Sequence, residues 1–313
     1  MTGTIAPTDF GWYRHLHESG SHDEVNFWRP SAQRRFLADR FSPFLFKLKA
    51  PHNAICGFGY FATYTALPVW LAWEAFGTAN GCVDRTSMET RIRTIRDRIR
   101  YRGEAPAEQI GCILVVQPVF FPENDWVPQP RDWPARNLTP MRWDLTRGEG
   151  ERVWSACLAR AALHEASSPR TATPLAAEGA TRFGSPQMVR PRLGQGTFRV
   201  EVTDAYERAC AVTGEHSLPA LDAAHIRPYA SDGMHETSNG ILLRADFHRL
   251  FDNGYITVTP GLRVEVSRRL REEYANGRSY YPFHGSAVRV PSASHNRPDR
   301  SLLAWHNERI FRG

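Results

Sequence analysis

The sequence predicts an α+β protein of two domains, and three observations support this prediction. Eight of the nine tryptophans lie before residue 155, so the first half has the aromatic residues for a core of its own. Residues 166–190 are rich in serine, proline, threonine, alanine and glycine and lack apolar periodicity, which is typical of a linker. Residues 221–252 follow the pattern of a strand, a turn, a second strand and a short helix. We therefore expect one domain over residues 1–165, the linker, and a second domain over residues 191–313.

The first domain is predicted to be mixed α/β. Residues 44–48 alternate as a strand does, and the long apolar run over residues 110–121 is typical of a buried strand. Isoleucines at 92, 95 and 99 follow helical spacing within residues 91–100, which predicts an amphipathic helix with an arginine-rich outer face. Residues 151–164 have a helical pattern as well.

The second domain is predicted to begin near Arg192 with a strand, a turn, a strand and a helix. Its predicted elements are, in order, a strand over 222–226, a break at Pro228 and Gly233, a strand over 240–243, a helix over 246–252, a hairpin over 255–266, mostly loop over 284–300 and a helix over 302–311.

Three polar residues lie on or beside these elements, 14 and 9 positions apart along the chain. They are His225, Asn239 and His248. His248 and Asp252 are one helical turn apart and therefore share a face. The hairpin and the helix together predict a compact cage for one metal ion. His235 lies outside this pattern and is interpreted as a loop residue.

The sequence around these positions resembles the HNH, or ββα-metal, nucleases, in particular the HNH branch of McrA-like modification-dependent restriction enzymes. The matching blocks are RLGQGTFR at 192–199, CAVTG at 210–214, AAHI at 223–226, NGILL at 239–243 and HRLFDNG at 248–254. A match of three residues alone would arise by chance in many proteins, whereas this run of blocks rarely would.

The resemblance implies a metal-dependent DNA endonuclease that hydrolyses phosphodiester bonds. In that family pattern His225 is the general base, Asn239 orients its ring through a side-chain hydrogen bond, and His248 is a metal ligand. A neutral imidazole suits the first role because its unperturbed pKa is about 6.5.

One metal ligand of the family pattern is missing. The position before the base histidine often holds a ligand, and here it is Ala224. Asp222 lies on the same strand face and is the first candidate to replace it, with Asp252 as the alternative. A site of oxygen and imidazole donors would accept one divalent ion, Mg²⁺, Mn²⁺, Ni²⁺ or Zn²⁺.

Composition favours double-stranded DNA as the partner. The net charge is +6 and the isoelectric point is near 9.2, and the excess of basic residues is concentrated in residues 26–49 and 85–102. The five cysteines form no CxxC pair, so neither a disulfide framework nor a zinc knuckle is predicted. No signal peptide or membrane-length apolar run is visible, and we expect a cytoplasmic protein. A double-strand cut by one such site suggests a homodimer or two binding events.

The first domain resembles the sulfur-binding domains that are joined to HNH nucleases in enzymes restricting phosphorothioate-modified DNA. The resemblance rests on Pro51 and Ala54, which follow the only two lysines of the chain, Lys47 and Lys49. An apolar cup of this kind accepts sulfur, whereas a phosphate oxygen placed there loses water without gaining a hydrogen bond. The residues expected to hold the rest of the phosphate and read nearby base edges are Arg29, Ser31, Lys49, His52 and Asn53.

Three alternatives stay open. Residues 51–59 also fit a tight turn between core strands. The first domain also fits a PUA-like reader of a modified base of the methylcytosine type, with an aromatic cage for a flipped base. The missing ligand at Ala224 also allows a DNA-binding regulator whose HNH fold has lost catalysis.

Overall fold

The computed structural model describes residues 1–98, 109–167, 193–228 and 233–313. The chain divides into two compact units, Met1–Arg192 and Leu193–Gly313. Residues 168–190 of the predicted linker and residues 99 and 100 of the predicted arginine-rich helix lie outside the described residues. In the described parts of the chain, no helix combines the length and the apolar character that crossing a membrane requires.

The described strands of the first unit form one seven-stranded sheet in the order β2-β5-β4-β3-β1-β7, with β6 paired to β4. Strands β1 and β3 are parallel, and the other pairs are antiparallel. The predicted strands over 44–48 and 110–121 are confirmed. The strands are β1 Thr2–Thr8, β2 Glu24–Arg29, β3 Pro43–Leu48, β4 Ala54–Pro68, β5 Gln109–Phe120, β6 Val127–Pro128 and β7 Met141–Asp144.

Two helices of the first unit show why they begin where they do. Asp9 caps α1, because its carboxylate accepts a hydrogen bond from the Gly11 amide. The last helix of this unit has Glu149 and Glu151 in its first turn, where negative charge interacts favourably with the positive end of the helix dipole. Both predicted helices are confirmed within the described residues. The helices are α1 Phe10–Glu18, α2 Val69–Phe76, α3 Arg85–Arg98 and α4 Gly148–Ser167.

Apolar residues cover both faces of this sheet. Phe44 and Phe46 of β3 pack into an aromatic cluster with α1, while Leu45 faces a second cluster that includes Trp133 and residues of α4. Successive side chains of a strand point to opposite faces, so β3 contributes to both cores. Lys47 contacts Trp133 of the second cluster and is only 4% exposed.

The second unit contains the two predicted strands and the predicted helix after them. Strands β8 and β9 are antiparallel, with His225 opposite Gly240. The hairpin predicted over 255–266 and the C-terminal helix are also confirmed. The elements are α5 Gln195–Ala205, β8 Leu221–His225, β9 Gly240–Arg244, α6 Ala245–Asp252, β10 Ile256–Val258, β11 Val264–Val266, α7 Arg269–Tyr274 and α8 Arg300–Arg309.

Candidate active site

The hairpin and α6 bring three of the predicted residues of the second unit, His225, His248 and Asp252, around one cavity. Phe247 and Phe251 are buried on the inner face of α6. His248 and Asp252 therefore lie on its other face, where they line a cavity of about 200 Å³ together with His225. The spacing in the sequence thus corresponds to proximity in space.

His225 contacts two rings, one on α5 and one in the β8–β9 connection. Its imidazole stacks on Phe198 of α5, with 3.9 Å between ring centroids and 11° between planes, and its Nε2 lies 3.0 Å from Nδ1 of His235. Burial, followed by the nearby charges of His235 and His248, lowers the pKa of His225 to about 4. The ring is therefore neutral at physiological pH, which is the form that accepts a proton.

Gly240 allows α5 to approach the hairpin this closely. A Cβ atom at Gly240 would lie 2.3 Å from Val202 Cγ2 and 3.1 Å from the Phe198 ring. Any side chain at this position would push away the helix that carries the stacking partner of His225.

Within the described residues, Asn239 bonds to backbone groups rather than to the His225 ring, which the family pattern predicts as its partner. Both amide protons of Asn239 go to backbone carbonyls, those of Arg227 and Met234, each at 2.9 Å, and its Oδ1 accepts from the Arg227 amide at 2.9 Å. A side-chain amide has only two protons to donate, so none is left for the imidazole. Asn239 instead ties the start of the β8–β9 connection to its end, which positions His225 through the backbone.

His235 is a functional candidate that the sequence interpretation missed. The residue does lie in a loop, as predicted, but its ring is the partner of His225 Nε2. No spacing rule points to it, because the contact is made across the β8–β9 connection rather than along a strand or helix.

His248 lies between two carboxylates. Its Nε2 is 3.2 Å from Asp252 Oδ2 and its Nδ1 is 3.6 Å from Asp222 Oδ2. Burial lowers the pKa of His248, but hydrogen bonds and charge from Asp222 and Asp252 outweigh burial and raise it to about 9. Arg199 of α5 lies 3.9 Å from Asp222 and shares that carboxylate.

The structure does not bring the predicted DNA-contacting residues of the first unit into one cluster. Arg29 pairs with Gly111 of β5, which pairs with Ala66 near the end of β4. Ala54 begins the same strand. At about 3.3 Å per residue, Arg29 and the nearby Ser31 lie far from the turn that precedes Ala54.

The turn between β3 and β4 is exposed, but it does not form an open apolar cup. Lys49, Pro51 and Asn53 are exposed, whereas the Ala54 residue is only 9% exposed. The ring of His52 packs on Phe10, with 4.6 Å between ring centroids. The expected cup of Pro51 and Ala54 is therefore incomplete, because strand pairing with Pro128 covers Ala54.

Comparison with known proteins identifies the hairpin and its surroundings. Residues 210–259 match the model of the HNH endonuclease family. The segment is an HNH endonuclease domain. No curated protein sequence matches the chain at a significant level.

Two solved structures show limited likeness to the chain. The crystal structure of ASCH from Zymomonas mobilis is 15% identical, with a TM-score of 0.32, and the match covers 49% of this chain and 94% of that one. A modification-dependent restriction endonuclease, TagI, is 13% identical, with a TM-score of 0.27, and the match covers 93% of this chain and 76% of that one. Both TM-scores are below 0.5, so no inference about this chain rests on them.

The donor atoms of the HNH domain suit a divalent cation. Carboxylate oxygens and an imidazole nitrogen are ligands for Mg²⁺, Mn²⁺, Ni²⁺ and Zn²⁺. Within the described residues, no three His, Cys, Asp or Glu side chains are already arranged as a metal cluster. Asp222 and Asp252 contact different nitrogens of His248, and an imidazole binds a metal through one nitrogen. One carboxylate would share the ion with His248, and the other would hold the second ring nitrogen.

Proposed function

We propose that this protein is a metal-dependent endonuclease that cuts modified double-stranded DNA. The HNH domain would hydrolyse the phosphodiester bond, and the first unit would recognise the modification. The observation that carries the proposal is the neutral His225 ring in one cavity with His248 and Asp252. A base beside a pair of metal-binding donors is what phosphodiester hydrolysis at neutral pH requires.

Each side chain of the cavity has a distinct role in this proposal. His225 takes a proton from the attacking water, and its contact with His235 fixes the ring. His248 would hold the metal ion together with one carboxylate; a divalent ion there stabilises charge on the leaving oxygen. The cavity contact favours Asp252 as that carboxylate, whereas the sequence pattern favours Asp222. Asn239 positions the base through the backbone.

The net positive charge supports DNA as the substrate, but the arginines of α3 are not all available for it. Arg91 pairs with Asp9, and Arg96 donates to the carbonyls of Pro30 and Gln109. The predicted arginine-rich face is therefore used in part for internal packing. Lys49, on the exposed β3–β4 turn, is the better candidate for a phosphate contact.

Two modifications are candidates for the recognised mark. A backbone phosphorothioate is the first, because Pro51 places an exposed apolar ring beside Lys49. A modified base is the second, because Trp133 and Trp143, whose rings lie 6.2 Å apart between centroids, are aromatic side chains of the kind that hold a flipped base.

The affinities of the full-length protein for matched duplexes test the proposal. Ordinary, phosphorothioate and 5-methylcytosine duplexes of one sequence are compared in EDTA, so that no cleavage occurs. We expect about tenfold or tighter binding to one marked duplex. If that mark is sulfur, Pro51→Asp should remove the preference, since it places a negative charge on the exposed turn that carries Lys49. If phosphorothioate and ordinary duplexes bind with equal affinity, sulfur is rejected as the mark. If every marked duplex binds with the same affinity as the ordinary one, modification dependence is rejected.

A further inference from the structure

His225 and His235 face each other through one ring nitrogen each. His225 Nε2 lies 3.0 Å from His235 Nδ1, and the planes of the two rings are inclined by 62°. Two nitrogens at this distance share one proton, which belongs to one ring and is accepted by the other. The direction of this hydrogen bond decides which nitrogen of His225 can act as the base.

Only one direction leaves His225 able to take a proton. Burial lowers the pKa of His225 to about 4, so at pH 7 its ring is neutral, with one N–H and one accepting nitrogen. If His235 donated, His225 Nε2 would accept that bond and Nδ1 would carry the proton of the ring, which leaves no nitrogen for the attacking water. If His225 donates from Nε2, its Nδ1 keeps an accepting lone pair.

The cavity requires the same assignment. Within the described residues, the lining of the cavity includes His225, His248 and Asp252 but not His235. Because Nε2 of His225 is engaged by His235, Nδ1 is the nitrogen that remains for a water molecule in the cavity.

Asn239 holds the chain beside both histidines. Its side-chain amide donates to the carbonyl of Arg227, two residues after His225, at 2.9 Å. It also donates to the carbonyl of Met234, the residue before His235, at 2.9 Å. One buried side chain thus fixes the backbone next to each ring, so the contact between the rings is built into the fold of the β8–β9 connection.

Gly233 and Phe198 support the same contact. A Cβ atom at Gly233 would lie 2.0 Å from the carbonyl oxygen of Arg227, so a side chain there would separate the two backbone segments. The Phe198 ring lies 3.9 Å from the ring centroid of His225 and 5.7 Å from that of His235. A single aromatic ring therefore backs both imidazoles.

We propose that His235 is a positioning residue of the HNH site, which accepts a hydrogen bond from His225 Nε2 and so keeps Nδ1 of the base open to the attacking water. His235 thereby takes the role that the family pattern gives to the side chain of Asn239. This inference rests on the proposed function, in which His225 is the base.

The hydrogen bond to His235 becomes stronger during the reaction. An O–H bond of the water breaks, its proton goes to His225 Nδ1, and the water oxygen attacks the phosphorus. The Nε2 proton stays on His225, and its bond to His235 becomes charge-assisted as the ring turns into an imidazolium. An interaction that is stronger in the transition state than in the ground state lowers the barrier.

Two substitutions of His235 test the acceptor itself. His235→Leu fills part of the space of the ring without an acceptor, whereas His235→Asn places an oxygen close to the position of Nδ1. In single-turnover cleavage with Mn²⁺, we expect His235→Leu to be about 10- to 100-fold slower, the value of one hydrogen bond to a charged group. His235→Asn should stay within about threefold of wild type, and both should bind DNA in EDTA as the wild type does. His216→Leu, at an exposed histidine of the same unit, is the control and should cut normally.

The ring nitrogens of His225 give a readout that does not depend on cleavage. Nitrogen-15 chemical shifts distinguish a protonated ring nitrogen from an unprotonated one, and comparison of metal-free wild type with His225→Ala assigns the signals. At pH 7.0 we expect the proton on Nε2 in the wild type and in His235→Asn. In His235→Leu the proton should be distributed over both nitrogens, because the acceptor that selects Nε2 is gone.

The outcomes separate this inference from the proposed function. A proton on Nδ1 of His225 in the wild type would overturn the inference, whatever the protein cuts. Cleavage by His235→Asn as slow as that by His235→Leu, or wild-type cleavage by both, would overturn it as well. Wild-type protein that cuts no duplex but carries the proton on Nε2 would overturn the proposed function, and with it the role of His225 as the base, but not the direction of the hydrogen bond.

Discussion

The two units of the chain assemble their candidate sites in opposite ways. In the HNH domain, the strand, the helix and the loop that carry His225, His235 and His248 follow one another within residues 221–252. In the first unit, the residues considered for DNA contact lie in β2, which holds Arg29, and on the turn between β3 and β4, which holds Lys49 and Pro51. The first site is local in sequence and the second depends on a whole sheet. We therefore expect single substitutions in the HNH domain to remove chemistry, and single substitutions in the first unit to change selectivity.

The largest expected effect comes from His225→Ala. Removal of the base should slow cleavage about 10²- to 10⁴-fold, while affinity for marked DNA stays unchanged because recognition lies in the other unit. His216→Ala, at an exposed histidine of the same unit, is the control and should cut normally. Single-turnover cleavage with Mn²⁺ measures both rates, and wild-type cleavage by the His225 variant would show that the base is elsewhere.

The HNH site was largely predictable because its residues are neighbours along short elements. Strand alternation and helical spacing predicted the elements that carry His225 and His248, and the family resemblance singled out these two residues. The role of Asn239 could not be predicted in this way, since its partners are backbone groups whose positions depend on the loop. The first unit was harder, because strand pairing decides that Arg29 lies far from Ala54 and that Lys47 is buried. Such pairings join residues that are distant in sequence.

The HNH domain has a second buried histidine, His306, whose neutral ring is expected to stabilise the fold. Burial lowers the pKa of His306 to about 4, and its ring contacts the Thr257 hydroxyl and the Phe251 carbonyl. Because the folded pKa is below the unfolded value, its stabilisation is present above about pH 6.5 and is lost towards pH 4. The loss should reach about 3 kcal/mol.

His306→Gln should remove this part of the pH dependence, because glutamine does not titrate. Urea unfolding of the full chain at pH 7.0 and 4.5 measures the difference. If the wild type and His306→Gln lose the same free energy of unfolding between pH 7.0 and 4.5, the fold does not keep His306 neutral.

The two carboxylates beside His248 provide a finer comparison within the HNH domain. If Asp252 shares the ion with His248, Asp252→Ala should weaken Mn²⁺ binding about 10- to 100-fold, and Asp222→Ala should weaken it less. Isothermal titration with Mn²⁺ gives both affinities. The reverse ranking would assign the metal to Asp222, as the strand pattern predicts.

The smallest expected effect is that of Lys49→Ala in the first unit. Loss of one phosphate contact should reduce the salt dependence of binding by about one unit of slope, uniformly across DNA sequences and marks. Affinities at several salt concentrations measure this change. A loss confined to one mark would make Lys49 a determinant of selectivity instead.

The central claim is that the HNH domain cuts DNA under the direction of a modification reader in the same chain. The most direct measurement is single-turnover cleavage of matched duplexes that are unmodified, phosphorothioate-modified or 5-modified at cytosine, by wild-type protein with Mn²⁺. We expect one marked duplex to be cut about tenfold or more faster than the unmodified one. We also expect none to be cut appreciably by His225→Ala. Equal cutting of marked and unmarked DNA, or no strand breakage at all, would contradict the claim.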